Sequence, residues 1–392
     1  MGRQQLPSGI TKVTVKNRRT GKPEPRWRVQ LNIGEGDQRH QVRRSFTTEA
    51  AARSFRSKTL GDVEAGAYVR GSHRTIEQAC ADWLTSKHNL KSSTRRGYIS
   101  ALQPVRDQLG EIAVQKLTKR DLDDLVVQLR AGQVERALDD GTTKARKKYA
   151  ARTINKMIGT LSQVLASEQA QGHLARNVAA LVDHVPVEAK EYRTLTEAEM
   201  YRVLDHQCRD RHLWTLALYG LRRGEIAGLR WCDVDLTAGT VTIRETRVDG
   251  VEGIVVDTPK SRTSARTLPM PVDVVKALKA ARKQQWRERL ALGEAYAGGE
   301  YLASDEAGRP LNTWQISAGW ERVLRDLGIE RVRLHDARHT CGTLMHLRGV
   351  PIREIAQWLG HSSPAFTMAT YVHSQGEALK AAGQSFDRVE AT

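Results

Sequence analysis

The strongest constraint on the fold is a change of hydrophobic period near residue 75. Before it, apolar residues alternate with polar ones. Trp27, Val29, Leu31 and Ile33 are interleaved with Arg28, Gln30 and Asn32, as in a strand with one buried face. Residues 11–17, with Val13 and Val15 between lysines, and residues 40–46, with Arg43 and Arg44, read as two further strands. Gly34 to Asp37 reads as a turn, and Thr47 or Thr48 caps a helix from about Glu49 to Val63. After Thr75 the period becomes three to four. Ile76, Ala79, Cys80, Trp83 and Leu84 form one stripe, and Tyr98, Leu102 and Val105 a second. Leu122, Leu125, Val126 and Leu129 form a third, and Ile154, Ile158, Leu161, Val164 and Leu165 a fourth. The polar stretch 131–149 reads as a flexible basic loop. Two breaks, Gly66–His73 and Val185–Lys190, separate these segments, and Thr194 or Thr196 opens the last one.

The expected class is therefore multidomain α+β. A small three-stranded sheet plus helix (1–66) is followed by a linker (67–74), a helical bundle (75–184), a linker (185–193) and a mainly α domain with a small antiparallel sheet (194–392). A chain of 392 residues exceeds what one core usually supports, which agrees.

Charge narrows the partner. Lys plus Arg number 62 against 45 Asp plus Glu, a net charge of +17. The excess is +9 over residues 1–70, +6 over 71–190 and only +2 over 191–392. That is the footprint of a polyanion binder, with nucleic acid the expected partner. A basic strand ribbon with arginines on its solvent face suits a DNA groove, and a small domain with a basic surface fits the same pattern. No run of about 20 apolar residues suggests a membrane span, and residues 1–6 lack the apolar stretch of a signal peptide. Cys80, Cys208, Cys232 and Cys341 are far apart, which argues against a disulfide framework and fits a reducing cytosol.

Chemistry-bearing residues concentrate after residue 220. Gly220-Leu221-Arg222-Arg223-Gly224-Glu225 follows an apolar helix bearing Leu213, Leu216 and Ala217, and Glu225 is spaced to hold Arg222. Val241 and Ile243 read as a strand, Asp249-Gly250 as a hairpin turn and Ile254–Val256 as the return strand. Lys260 lies on the next turn, before Arg266-Thr267-Leu268-Pro269. His335 and Arg338 share one helix face. His335 and His339 also have metal-ligand spacing, but the glutamate of a metalloprotease helix is absent and no third ligand stands out, so no metal is expected. Pro351 opens a helix that Gly360 ends, His361 follows, and Ser363-Pro364 opens another carrying Tyr371. No Walker motif or dinucleotide fingerprint is present, so no nucleotide cofactor is expected.

This order resembles the tyrosine recombinases of the phage-integrase type, through Arg222, Lys260, His335, Arg338, His361 and Tyr371. The resemblance spans about residues 190–392, and more loosely gives residues 75–184 as a core-binding domain and 1–66 as an arm-type DNA-binding domain. Ala337 and Gly224 stand where many relatives carry Leu and Ser, at packing or helix-junction positions. The resemblance implies cutting and rejoining of DNA through a 3′-phosphotyrosyl bond. Arg222 and Arg338 would clamp the phosphate, His361 donate, His335 relay a proton, Lys260 act as general acid and Tyr371 attack. Candidate DNA contacts are Arg28, Arg43, Arg44, Lys91, Arg95, Arg96, Lys147 and Lys148. Implied partners are core-type and arm-type DNA sites, a homotetramer on DNA, a DNA-bending host factor and an excision factor, in the cytoplasm and nucleoid of a bacterial host. The helix-like tail from Gly376 to Val389 would dock on a neighbour. A non-catalytic DNA-binding protein of the same fold, or a type IB topoisomerase, is the alternative.

Overall fold

A computed structural model describes residues 6–16, 21–34, 39–65, 68–137, 143–145, 148–188, 193–251, 253–257, 265–361, 363–365 and 368. The chain divides into two compact units, residues 1–88 with 98–187, and residues 89–97 with 188–392.

In the first unit, β1 (Ile10–Lys16), β2 (Pro23–Ile33) and β3 (His40–Phe46) form an antiparallel sheet in that order. Alternation sets its faces. Val29, Leu31 and Ile33 are buried, while Arg28, Gln30 and Asn32 are exposed. α1 (Glu49–Glu64) covers the apolar face, starting at Thr48, whose hydroxyl accepts from the Ala51 amide. The register corrects one expectation. Arg43 lies opposite Gln30, on the open face with Arg28, but Arg44 lies opposite Val29. Neighbouring strand residues point to opposite faces, so the two arginines leave β3 on opposite sides, although both are exposed. Arg44 instead lays its guanidinium 5.8 Å from the Phe46 ring centre and 5.3 Å from that of Phe55, a cation–π contact at the edge of the packed face.

The helical part holds α2 (Ile76–Thr85), α3 (Ser92–Leu109), α4 (Lys119–Ala131) and, beyond a short ribbon, α5 (Ala151–Ala170). Thr75 with Gln78 and Thr118 with Asp121 form reciprocal caps at the starts of α2 and α4. The four stripes meet in one core, with Leu102, Leu122, Leu129, Ile154 and Leu165 fully buried. The segment 131–149 is not wholly a loop, because β4 (Glu135–Ala137) pairs antiparallel with β5 (Thr143–Ala145). Backbone pairing needs no apolar pattern, so periodicity could not reveal it. Val185, placed in a linker by sequence, is buried in this core, and Asn155 exchanges hydrogen bonds of 2.9 Å with its amide and carbonyl.

The second unit begins with α6 (Glu197–Asp205), capped by Thr196 with Glu199. α7 (Arg211–Leu218), α8 (Arg223–Gly228), β6 (Val234–Asp235), β7 (Thr240–Ile243), β8 (Thr246–Asp249), β9 (Ile254–Asp257) and β10 (Arg266–Pro269) follow. After them come α9 (Val272–Leu292), α10 (Thr313–Asp326), α11 (Leu334–Leu347) and α12 (Ile352–Leu359). β10, β7 and β6 form one antiparallel sheet, and β8 and β9 a separate ribbon turning at Asp249-Gly250. Trp214 of α7 and Trp320 of α10 are buried with ring centres 6.0 Å apart. Gly220 sits at φ +99°, and a Cβ there would lie 2.8 Å from Leu359 Cδ2, so only glycine lets the end of α7 approach α12. The expected helix carrying Tyr371 and the tail 376–389 lie outside the described residues, apart from residues 363–365 and 368. Among the described residues no helix is long and apolar enough to cross a membrane.

Candidate active site

The site assembles around the last turn of α12. The final carbonyls of a helix have no partner within it, and they carry the negative end of its dipole. Here three consecutive ones each accept from a different arginine. Arg266 Nε donates to the Trp358 carbonyl at 2.8 Å, Arg338 Nη2 to that of Leu359, and Arg222 Nη2 to that of Gly360 at 2.6 Å. Gly360 takes the left-handed conformation (φ 62°) that ends α12 and turns the chain into His361. Trp358 fixes this turn against α7, its Nε1 donating to the Tyr219 carbonyl at 2.9 Å.

Arg222 is the N-cap of α8. Glu225, three residues on, accepts from the Arg222 amide and from Arg222 Nη1, both at 2.8 Å, as the spacing suggested. Glu225 is 1 % exposed. Burial alone would raise its pKa, but Arg266 and Arg222 outweigh burial and hold it below the usual carboxylate range. Arg338, on α11, is 2 % exposed and also donates through Nη1 to the Gly220 carbonyl at 2.6 Å. Arg222 is the reachable member, its side chain 32 % exposed. Two adjacent guanidiniums, one buried and one open, offer the fixed bidentate donors that suit a phosphodiester.

The histidines complete one edge. Burial, then His339 and Arg338, push His335 down to about 4. Burial, then Arg338 and Arg222, push His361 down to about 3. Both rings are therefore neutral near pH 7, able to donate through one nitrogen and accept through the other. His339 stands edge-on to His335, ring centres 5.2 Å apart. Among the described residues no cluster of three His, Cys, Asp or Glu could hold a metal ion.

Arg222, His335, Arg338 and His361 all belong to this second unit, while Lys260 and Tyr371 lie outside the described residues. Of the candidate DNA contacts, Arg28, Arg43, Arg44 and Lys148 are exposed, and Lys147 lies outside the described residues. Arg95 is half-buried and Arg96 exposed. Lys91 pairs with Asp257 of β9 at 3.0 Å, and Arg96 approaches Asp249 of β8 at 3.9 Å. Sequence reasoning missed Arg266. It opens a strand 41 residues from Glu225, and nothing in its neighbourhood marks it as part of a site.

Comparison with known proteins places this arrangement. Residues 187–377 match the phage integrase family. The chain is 25 % identical over 266 residues to a XerC-like tyrosine recombinase of Caldanaerobacter subterraneus subsp. tengcongensis, covering 62 % of this chain and 67 % of that one. It is 26 % identical over 366 residues to an integrase of Streptomyces ambofaciens, covering 88 % and 89 %. Among solved structures, the Tn1549 transposon integrase in complex with transposon right end DNA matches 80 % of this chain and all of that one, with TM-score 0.64 and 18 % identity. A lambda integrase tetramer bound to a Holliday junction matches 94 % and 96 %, with TM-score 0.53 and 15 % identity. At such identities the structural matches show the fold.

Fold and sequence together define a site-specific recombinase of the tyrosine class. Residues 187–377 carry a phage integrase family domain.

Proposed function

We propose that this recombinase integrates and excises a phage or other mobile element, with Tyr371 as the nucleophile. The observation that carries the site assignment is the convergence of Arg222 and Arg338 on adjacent carbonyls, Gly360 and Leu359, beside His361. A phosphodiester resists nucleophiles because it is anionic, and attack piles further charge on its non-bridging oxygens. Preorganised cationic donors at those oxygens are the main requirement. Arg222 and Arg338 supply them, and His361 adds a hydrogen bond. The Tyr371 oxygen forms a bond to phosphorus while the bond to the 5′ oxygen breaks. His335 receives the phenol proton, and Lys260 protonates the departing 5′ oxygen. The ester conserves the bond energy, so the 5′ hydroxyl of a new partner can reverse the step and religate.

Exchange between two duplexes needs four cleavages, and one tyrosine per protomer makes the working unit a homotetramer on double-stranded DNA. Residues 194–392 form the catalytic domain, 75–184 a core-site clamp and 1–66 an arm-site reader whose open face carries Arg28 and Arg43. The pairs made by Lys91 and Arg96 are partly exposed, so phosphates can displace them at little cost. A DNA-bending host factor and an excision factor would assist in the bacterial cytoplasm and nucleoid.

A nicked suicide substrate, which loses its 5′ end after cleavage, tests this reading. The parent protein should accumulate a covalent protein–DNA adduct, and Tyr371→Phe should form none while still binding DNA. Adducts persisting in Tyr371→Phe would reject the tyrosine. DNA binding without any parental adduct would favour the non-catalytic alternative, and relaxation of supercoils without site preference would favour a topoisomerase.

A further inference from the structure

We infer that Arg266 is a positioning residue for strand cleavage, holding Glu225 and the last turn of α12 together so that Arg222 keeps its charge and direction toward the phosphate. This rests on the reading of Arg222 and Arg338 as the phosphate clamp.

Arg266 comes from β10, not from α8, α11 or the turn after α12, which carry Arg222, Arg338 and His361. Its side chain is only 7 % exposed, so it is poorly placed to touch DNA itself. Its guanidinium instead spans two parts of the site. Nη1 and Nη2 reach the two Glu225 oxygens at 3.0 and 3.2 Å, while Nε reaches the Trp358 carbonyl at 2.8 Å. Each Glu225 oxygen is thereby shared. Oε1 serves Nη1 of both Arg222 and Arg266, and Oε2 serves the Arg222 amide and Arg266 Nη2.

Charge counting shows the consequence. Arg222 with Glu225 alone would be a neutral pair, its cation spent on a buried carboxylate. A second guanidinium on the same carboxylate leaves one net positive charge, which is what an incoming phosphate needs. Geometry points the same way. Arg222 reaches Glu225 with one arm and the Gly360 carbonyl with the other, so its direction depends on the spacing between them. Arg266 bridges that same carboxylate to Trp358, two residues before Gly360. A planar fork makes these three contacts at once, whereas a lysine at this position reaches Glu225 or the carbonyl.

The test is single-turnover cleavage of the suicide substrate at saturating protein, with site affinity measured in parallel, at pH 6 and pH 8. Arg266 and Arg222 are the cations acting directly on Glu225. Arg338 from α11 binds the next carbonyl of the α12 turn, and Arg247 from β8 reaches the Ala227 carbonyl of α8. Guanidinium groups in general are not deprotonated in proteins over this range. His335 and His361, held near 4 and 3, stay neutral at both. Arg266→Gln should cleave about tenfold or more slowly with affinity little changed. Its loss should be smaller at pH 6, because Glu225 without its second cation takes up a proton more readily and then no longer cancels the charge of Arg222. Arg266→Lys restores the charge without the fork, so it should recover part of the rate and the parental pH dependence. Parental cleavage by Arg266→Gln would overturn the inference. So would an equal loss at both pH values with Lys no better than Gln, which marks a purely structural residue. If Arg266→Gln does not fold, Arg266→Lys decides: slower cleavage with parental affinity and pH dependence supports the inference, and the parental rate overturns it. A parent that forms no adduct defeats the functional reading itself, a result distinct from either outcome at Arg266.

Discussion

Replacing Arg338 with alanine is expected to lower strand cleavage by about a thousandfold, the upper end of the range for losing one preorganised oxyanion donor. The same change should destabilise the fold by about 2–4 kcal/mol, as two carbonyls lose charged donors in a buried site. Both effects have one origin. Arg338 is almost fully buried, and its two arms hold the Gly220 and Leu359 carbonyls. Gly220 ends the approach to Arg222, and Leu359 precedes the turn into His361, so Arg338 ties together the segments that deliver both. Arg338→Lys keeps the charge but cannot serve both carbonyls in one plane, and should remain severely impaired. Denaturant titration beside single-turnover cleavage separates the two losses. A stable Arg338→Ala variant that cleaves at the parental rate would remove Arg338 from the site.

Glu225→Ala is expected to have the largest effect on stability, about 3–5 kcal/mol, because two guanidiniums lose their shared buried carboxylate. Glu225→Gln, which keeps an acceptor oxygen, should cost less. The difference between parent and Gln variant should depend on pH, with a definite sign. Folding lowers the Glu225 pKa, so the stability it contributes is complete above the unfolded carboxylate value of about 4.3 and fades as pH falls through the lower folded value. The two unfolding curves should therefore converge in acid and stay apart at neutral pH. A gap that is constant from pH 3 to 7 would mean that the carboxylate charge is not what matters.

Much of this was legible in the sequence because it is written in local spacing. Thr48, Thr75 and Thr196 cap helices from positions where a hydroxyl meets the amide three residues on. His335 and Arg338 share a face by helical pitch, and Glu225 reaches Arg222 across one turn. The side of Arg44 was also legible, since period two separates it from Arg43. What sequence could not give is long-range. The gathering of arginines from β10, α8 and α11 on the end of α12 depends on tertiary packing, and no local pattern in Arg266-Thr267-Leu268-Pro269 announces it. Val185 likewise reads as part of a break but is held by Asn155, 30 residues earlier.

The most direct test is to isolate the trapped protein–DNA adduct, digest both components and identify the modified peptide by mass spectrometry. The account predicts a single modified residue, Tyr371, joined through its phenol oxygen to a 3′-phosphate, with the released strand carrying a free 5′ hydroxyl. A nucleotide on any other side chain, or linkage through a 5′-phosphate, would contradict it.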